Sequence, residues 1–215
     1  MEKFNHEKFD KIVTIAVDIQ NDFCPGGKLA VNSGDEIIAP INKLIDYTRQ
    51  NNGTVIFTSD QHPKDTPHFE KWPIHCVAGT RGADFHHDLD IQEGDIFINK
   101  GMGQTDGYSG FEGRTKQGYN IEQFITPTNN ERIAILIGGL ATDYCVFETT
   151  IDTLKTAERV REKQIGSIAV FAVLDTMRAV NINPNDGDIA KQKIKDKGAN
   201  FINVNDVINN QILEI

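Results

Sequence analysis

The chain has 215 residues, 31 acidic against 22 basic side chains for a net charge of −9, and 39% hydrophobic with 25% charged residues, a globular composition at a length suited to one large domain. Its acidity argues against nucleic-acid or anionic-membrane partners, which require a basic patch. No apolar run approaches the roughly 20 residues of a membrane span, and the N-terminal MEKFNHEKFDK does not read as a signal peptide because it lacks an apolar core.

The first predicted strand is IVTIAV (12–17), and the following VDIQNDF puts Asp18 at its C-terminal end. A helix is expected over 34–51, where Ile37, Ile38, Ile41, Leu44, Ile45 and Thr48 recur at helical spacing. Ser33 or Asp35 can cap its start and Gly53 follows its end. The second strand, TVIFTS (54–59), runs into SDQH and delivers Asp60 and His62. The third, DIFIN (95–99), delivers Lys100. The fourth, RIAILIG (132–138), leads through GGLATDYC to Cys145, at the start of a helix over 143–163. SIAVFAVL (167–174), a polar helix over 186–197 ended by Gly198, and a weaker strand NFINV (200–204) complete the pattern. The strands are continuously apolar rather than alternating, as expected where both faces are covered. Strand then helix, repeated, predicts an α/β fold with a parallel sheet and helices on both faces. With no linker or internal repeat, residues 1–215 are read as a single domain. The Gly-, Pro-, His- and Asp-rich stretches between about 61 and 118 are expected to form a loop-rich lid subdomain, and loops this long in a compact domain are usually functional.

In open parallel sheets ligands bind at the carboxyl ends of the strands, and the ends here carry an acid, a second acid with a histidine, a lysine and a cysteine. Cys145 is expected at a helix N-terminus, with Thr142 or Asp143 as cap. There the unpaired amides and the dipole favour a thiolate and can receive an oxyanion. Lys100 would favour the thiolate further, and Asp18 can accept the thiol proton and return it to a leaving group. Gly138 and Gly139 permit a tight turn and a close backbone approach. The other cluster is Asp60, His62, His68 and His75. Histidine intervals of six and seven match neither helix nor strand periodicity, whereas a carboxylate and three imidazoles suit one divalent metal ion, zinc foremost, with iron and manganese also compatible. Cys76 is set aside as a ligand because its neighbour His75 points the other way. His86 and His87 are read as surface residues that point apart. Three cysteines in all (Cys24, Cys76, Cys145) favour reduced thiols in the cytoplasm over a disulfide framework.

These segments together resemble the nicotinamidase/pyrazinamidase branch of the isochorismatase-like cysteine hydrolases. The matches run in order through VDIQNDFCPGGKLAV (17–31), SDQHP, TPHF, WPIHCVAGTRGADF (72–85), NKGMGQTDGYSGFEG (99–113), GLATDYCV (139–146) and VLDTMRAVN (173–181). The resemblance implies a six-stranded parallel sheet and a catalytic triad of Asp18, Lys100 and Cys145. It implies Asp60, His62, His68 and His75 as metal ligands, an oxyanion hole from the amides of Ala141 and Cys145, and a cis peptide between Leu140 and Ala141. Phe23 and Trp72 fall where the family stacks a pyridine ring. Gln61, where a tryptophan is common, and Met102 to Thr105 depart from the family pattern. The implied activity is hydrolysis of nicotinamide to nicotinate and ammonia through a cysteine thioester, in NAD salvage, with pyrazinamide as a further substrate. The expected partner is this small molecule, and a homo-oligomer is compatible with the sequence. A relative acting on isochorismate or another small amide, and a catalytically silent metal-binding protein on the same fold, are the competing readings.

Overall fold

In the computed structural model, residues 9–103 and 106–209 are described. Six strands form one sheet: β1 (Lys11–Val17), β2 (Thr54–Asp60), β3 (Ile96–Lys100), β4 (Arg132–Leu140), β5 (Ser167–Arg178) and β6 (Asn200–Ile202). Every pairing is parallel and the order is β3-β2-β1-β4-β5-β6. The central β1 alternates its apolar residues between two layers, so both faces must be covered. Val13, Ile15 and Val17 pack into the core shared with α3 (Cys145–Lys163) and α4 (Asp186–Asp196). Ile12 and Ala16 face the other side, where α1 (Ile38–Gln50) and α5 (Val204–Ile208) lie.

Helix α1 buries Ile41, Leu44, Ile45 and Thr48, the stripe expected from spacing. Its first turn, Gly34–Ile37, is 3-10, and Ser33 is left-handed with no side-chain cap. The left-handed residue past its C-terminus is Asn52 rather than Gly53. Helix α3 buries a row of threonines, and Thr150, Thr153 and Thr156 return their hydroxyls to carbonyls one turn back. That satisfies their hydroxyls largely within the helix, while Thr149 accepts from the Gly110 amide and Thr156 also reaches Glu122.

Strand β5 extends four residues beyond its apolar run. Its register against β4 jumps from Ile137↔Ala172 to Gly139↔Met177, so an irregular segment separates two ladders. The second ladder, polar in sequence, pairs with the end of β4. Edge strand β3 is only partly buried and leaves Phe97 exposed. Two short helices, α2 (Glu122–Ile125) and α5, are too brief to declare a period. Residues 61–95 and 101–121 contain no strand and only 3-10 turns among the described residues. No helix among the described residues is long and apolar enough to cross a membrane.

Candidate active site

Strands β1 and β4 are neighbours from which the chain winds outward in opposite directions, and this switch point is where an open α/β sheet forms its crevice. Asp18 directly follows β1 and is fully buried in a left-handed backbone conformation. Lys100 ends β3 and reaches the same point. Its Nζ lies 2.7 Å from Asp18 Oδ2 and donates to Asp60 Oδ1 at 2.5 Å, to the Gly107 carbonyl at 2.9 Å and to Cys145 Sγ at 3.5 Å. An ammonium has three protons, so four acceptors compete for them. One Asp18 oxygen accepts from Thr58 Oγ1 at 2.6 Å, while Oδ2 faces the Lys100 ammonium at 2.7 Å. Atoms of Asp18, Asp60 and Cys145 lie within 4.8 Å of one another.

Cys145 is the first residue of α3, but the residue before the helix is Tyr144 and no side chain caps it. The expected cap at Thr142 or Asp143 is absent because Asp143 accepts instead from the amides of Val180 and Asn181. The Leu140–Ala141 peptide is cis. Among the described residues no backbone carbonyl accepts the amides of Ala141 or Cys145. The close approach made by Gly138 and Gly139 is to the neighbouring strands. A Cβ on Gly139 would overlap the Val17 carbonyl, and one on Gly138 the Thr176 hydroxyl.

The electrostatics correct one expectation. Burial pushes the Cys145 thiol well above its ordinary value. Lys100 opposes this, and Asp18 and Asp60 add to it. Burial and the two carboxylates thus work against the thiolate that the helix terminus and Lys100 favour. Burial likewise raises Asp18 despite Lys100. At Asp60, burial pulls upward but Lys100 and His62 outweigh it and hold the carboxyl low. Lys100 stays charged, since the attraction of Asp18 and Asp60 outweighs the cost of burial.

Above this triangle the three histidines converge although their elements differ. His62 pairs through its backbone with Cys76 and Ala78. His68 lies on the 3-10 turn Pro67–Glu70, entered through the Thr66 side chain. His75 follows Pro73 in an irregular loop. The rings of His62 and His68 stack at 4.4 Å, and His75 lies 5.1 and 5.2 Å from them. Each Nδ1 faces an acceptor: the Gly101 carbonyl at 2.9 Å, Asp106 Oδ1 at 2.9 Å and the Pro73 carbonyl at 2.7 Å. Those acceptors place the proton on Nδ1 and turn Nε2 into a lone pair. His62 Nε2 is buried with no partner, 3.6 Å from Asp60 Oδ2. Burial holds His75 neutral, down to about 4, and lowers His68 as well. Three imidazoles with ligand atoms within 4.8 Å of one another fit a divalent ion. Asp60 turns one oxygen to His62 and the other to Lys100, so it borders both groups. Cys76 Sγ turns to the Gly82 carbonyl at 3.8 Å, away from the imidazoles.

Between the two groups opens a narrow pocket lined by Phe23, Trp72, Tyr108, Tyr144, Ala141 and Cys145, among others. Trp72 Nε1 donates to the Tyr108 hydroxyl at 2.9 Å, and its ring stands edge-on to Tyr144. Gln61 faces elsewhere, donating to Ala83 and lining a groove beside β3. Of the variant segment 102–105, Gln104 and Thr105 lie outside the described residues. His86 and His87 do not point apart: their rings stack at 4.4 Å, far from this pocket's lining. Residues passed over in the sequence include Gln20, Thr58 and Asp106. Gln20 is buried and pairs both ends of its amide with the Asp60 backbone, at 2.8 Å each. Thr58 and Asp60 share one face of β2 through their i, i+2 spacing, a signal that was available.

An acid, a lysine and a cysteine thus meet at the strand ends of a doubly wound sheet, beside three clustered histidines. Residues 13–161 match the isochorismatase domain, and the chain belongs to that family. It is 33% identical to the nicotinamidase/pyrazinamidase of Mycobacterium tuberculosis over 184 residues, 78% of this chain and 95% of the relative. The pyrazinamidase of Pyrococcus horikoshii, solved in complex with zinc, superposes with a TM-score of 0.74 at 29% identity, covering 90% of this chain and 99% of that one. PnC1 from L. infantum, in complex with nicotinate, gives 0.73 at 26% identity, covering 94% and 96%.

Proposed function

We propose that this chain hydrolyses nicotinamide to nicotinate and ammonia. The observation that carries the reading is the meeting of Asp18, Lys100 and Cys145, brought from three strand ends, with Cys145 opening on an aromatic pocket that His68 and His75 also line. The relatives named above, acting on nicotinamide and pyrazinamide, support the same substrate class, and pyrazinamide is the expected second substrate.

In this reading Asp60, His62, His68 and His75 hold one divalent ion, with zinc the first choice given the P. horikoshii enzyme. Held there, the ion would supply a Lewis acid for the pyridine nitrogen. Phe23 and Trp72 enclose the ring, and the amide carbonyl comes to rest over Cys145. As sulfur attacks the carbonyl carbon, the thiol proton passes to the carboxylate of Asp18, which Thr58 and Lys100 hold in place. The carbonyl electron pair moves onto oxygen, which the amides of Ala141 and Cys145 receive. Asp18 then gives the proton to nitrogen, the C–N bond breaks and ammonia leaves a thioester. Asp18 deprotonates the incoming water, whose oxygen displaces sulfur, and the sulfur regains a proton as nicotinate departs. Lys100 keeps both acids in register and balances the charge that Asp18 carries between transfers. The whole chain acts as one hydrolase domain in which the loops between 61 and 118 supply the anchor. Its three free, buried cysteines support a cytoplasmic setting.

Cys145→Ala is the direct test. Ammonia release should fall to background while zinc content and thermal stability hold. Turnover of the alanine variant near the wild-type rate would end the thioester mechanism.

A further inference from the structure

The three histidines are oriented in two different ways. His62 and His75 give their Nδ1–H to backbone carbonyls, of Gly101 and Pro73, which the fold itself positions. His68 gives its Nδ1–H to a side chain, the Asp106 carboxylate, 38 residues further along the chain. The other Asp106 oxygen accepts from Lys71 Nζ at 2.9 Å. Asp106 thus stands between an imidazole and an ammonium, 2.9 Å from each. The two residues after it touch the rest of the site. The Gly107 carbonyl accepts from Lys100 Nζ, and the Tyr108 hydroxyl accepts from Trp72. Three consecutive residues thus fix one imidazole, the floor ammonium and the pocket wall.

We infer that Asp106 is the positioning residue for metal affinity: its carboxylate fixes the Nδ1–H tautomer and ring plane of His68 and makes Nε2 a stronger donor to the ion. The inference rests on the metal reading proposed above. The physical basis is that an anionic acceptor on the far nitrogen raises the basicity of an imidazole ligand more than a neutral carbonyl does. His68 is the one of the three whose support a single side-chain change removes while leaving the backbone in place. Lys71, 66% exposed, adds an ion pair of little worth to the carboxylate but makes no contact of its own with the imidazole.

Zinc alone serves as the probe, titrated into chelator-stripped protein against a chromophoric chelator, with no substrate present. Asp106→Ala should weaken zinc binding about 10–100-fold. Asp106→Asn keeps a neutral acceptor oxygen and should lose less. Lys71→Met should stay within about twofold of wild type, as an exposed pair implies. The metal-free proteins should all melt together, and cobalt(II) placed in the site should show a shifted d–d spectrum in the two Asp106 variants only. An alanine variant that binds zinc within about twofold of wild type would overturn the inference and leave the metal reading standing. So would equal weakening in all three variants, which would make the loop contact, not the carboxylate on His68, responsible. Wild-type protein that takes up no zinc would instead overturn the metal reading, and this inference with it.

Discussion

Replacing Lys100 with methionine asks whether charge holds the floor of the pocket together. Its Nζ lies 2.7 Å from Asp18 and 2.5 Å from Asp60, with all three groups buried. At an effective dielectric constant of about 20, each pair is worth about 6 kcal/mol of gross attraction. Stripping water from the ammonium and from both carboxylates costs several kcal/mol per ion, so the intact cluster contributes far less than that attraction. The variant is different, because it keeps both desolvated carboxylates and loses their counter-charge. It should be destabilised by about 3–5 kcal/mol near neutral pH. The loss should also depend on pH. Burial already raises Asp18, with Lys100 as the chief opposing influence, so its removal raises Asp18 further. A carboxyl whose folded pKa exceeds its unfolded one favours the fold while protonated, and that contribution is lost as pH rises through the folded value. The deficit of the variant is therefore greatest at high pH and narrows on acidification. Urea unfolding of both proteins at saturating zinc, between about pH 8 and about pH 6, measures it. A deficit below about 1 kcal/mol at every pH, or one that widens on acidification, would refute the electrostatic account.

Asp18→Asn removes the proton carrier but not the volume, and should lower kcat on nicotinamide by about 10²–10⁴; steady-state ammonia release checks it, and a near-normal kcat would move the acid–base role elsewhere. Benzamide, which lacks the ring nitrogen, should have a kcat/KM far below that of nicotinamide, and equal values for the two would remove the anchor from the scheme. Gly139→Ala should cost about 3 kcal/mol or more, since φ is 132° and a Cβ would meet the Val17 carbonyl. Calorimetry that finds the variant as stable as wild type would mean that β1 and β4 separate more easily than their packing indicates.

The chain order of the strands and the residues at their C-terminal ends were legible because continuous β-branched runs are a local signal. Asp18, Asp60, Lys100 and Cys145 could be assigned to one rim before any coordinate was known, since a parallel sheet aligns those ends. The second ladder of β5 was not legible: LDTMR has no apolar pattern, and its pairing comes from the end of β4. Nor was the state of the sulfur. A helix start and a nearby lysine suggest a thiolate, but the sign depends on burial and on the two carboxylates that share the lysine. Asp106 escaped for a similar reason, as its contact with His68 spans 38 residues and no spacing rule links them. His86 and His87 show the limit of reasoning from strand geometry, because their backbone is not a strand and their rings stack.

The order β3-β2-β1-β4 also sets a ruler. Lys100 on β3 stands two strands from β1, about 10 Å at the usual spacing between paired strands. Its four-carbon stem covers most of that gap and the short side chain of Asp18 the rest. Cys145 approaches from β4 on the opposite side. The dimensions of the reacting triangle are thus fixed by sheet hydrogen bonds, with each corner at a strand end or within five residues of one. Apart from Gly107, whose carbonyl helps hold the Lys100 ammonium, the loops above can lengthen, shorten or change sequence without moving the strand ends. Such an arrangement lets one chemistry be kept while the choice of amide drifts.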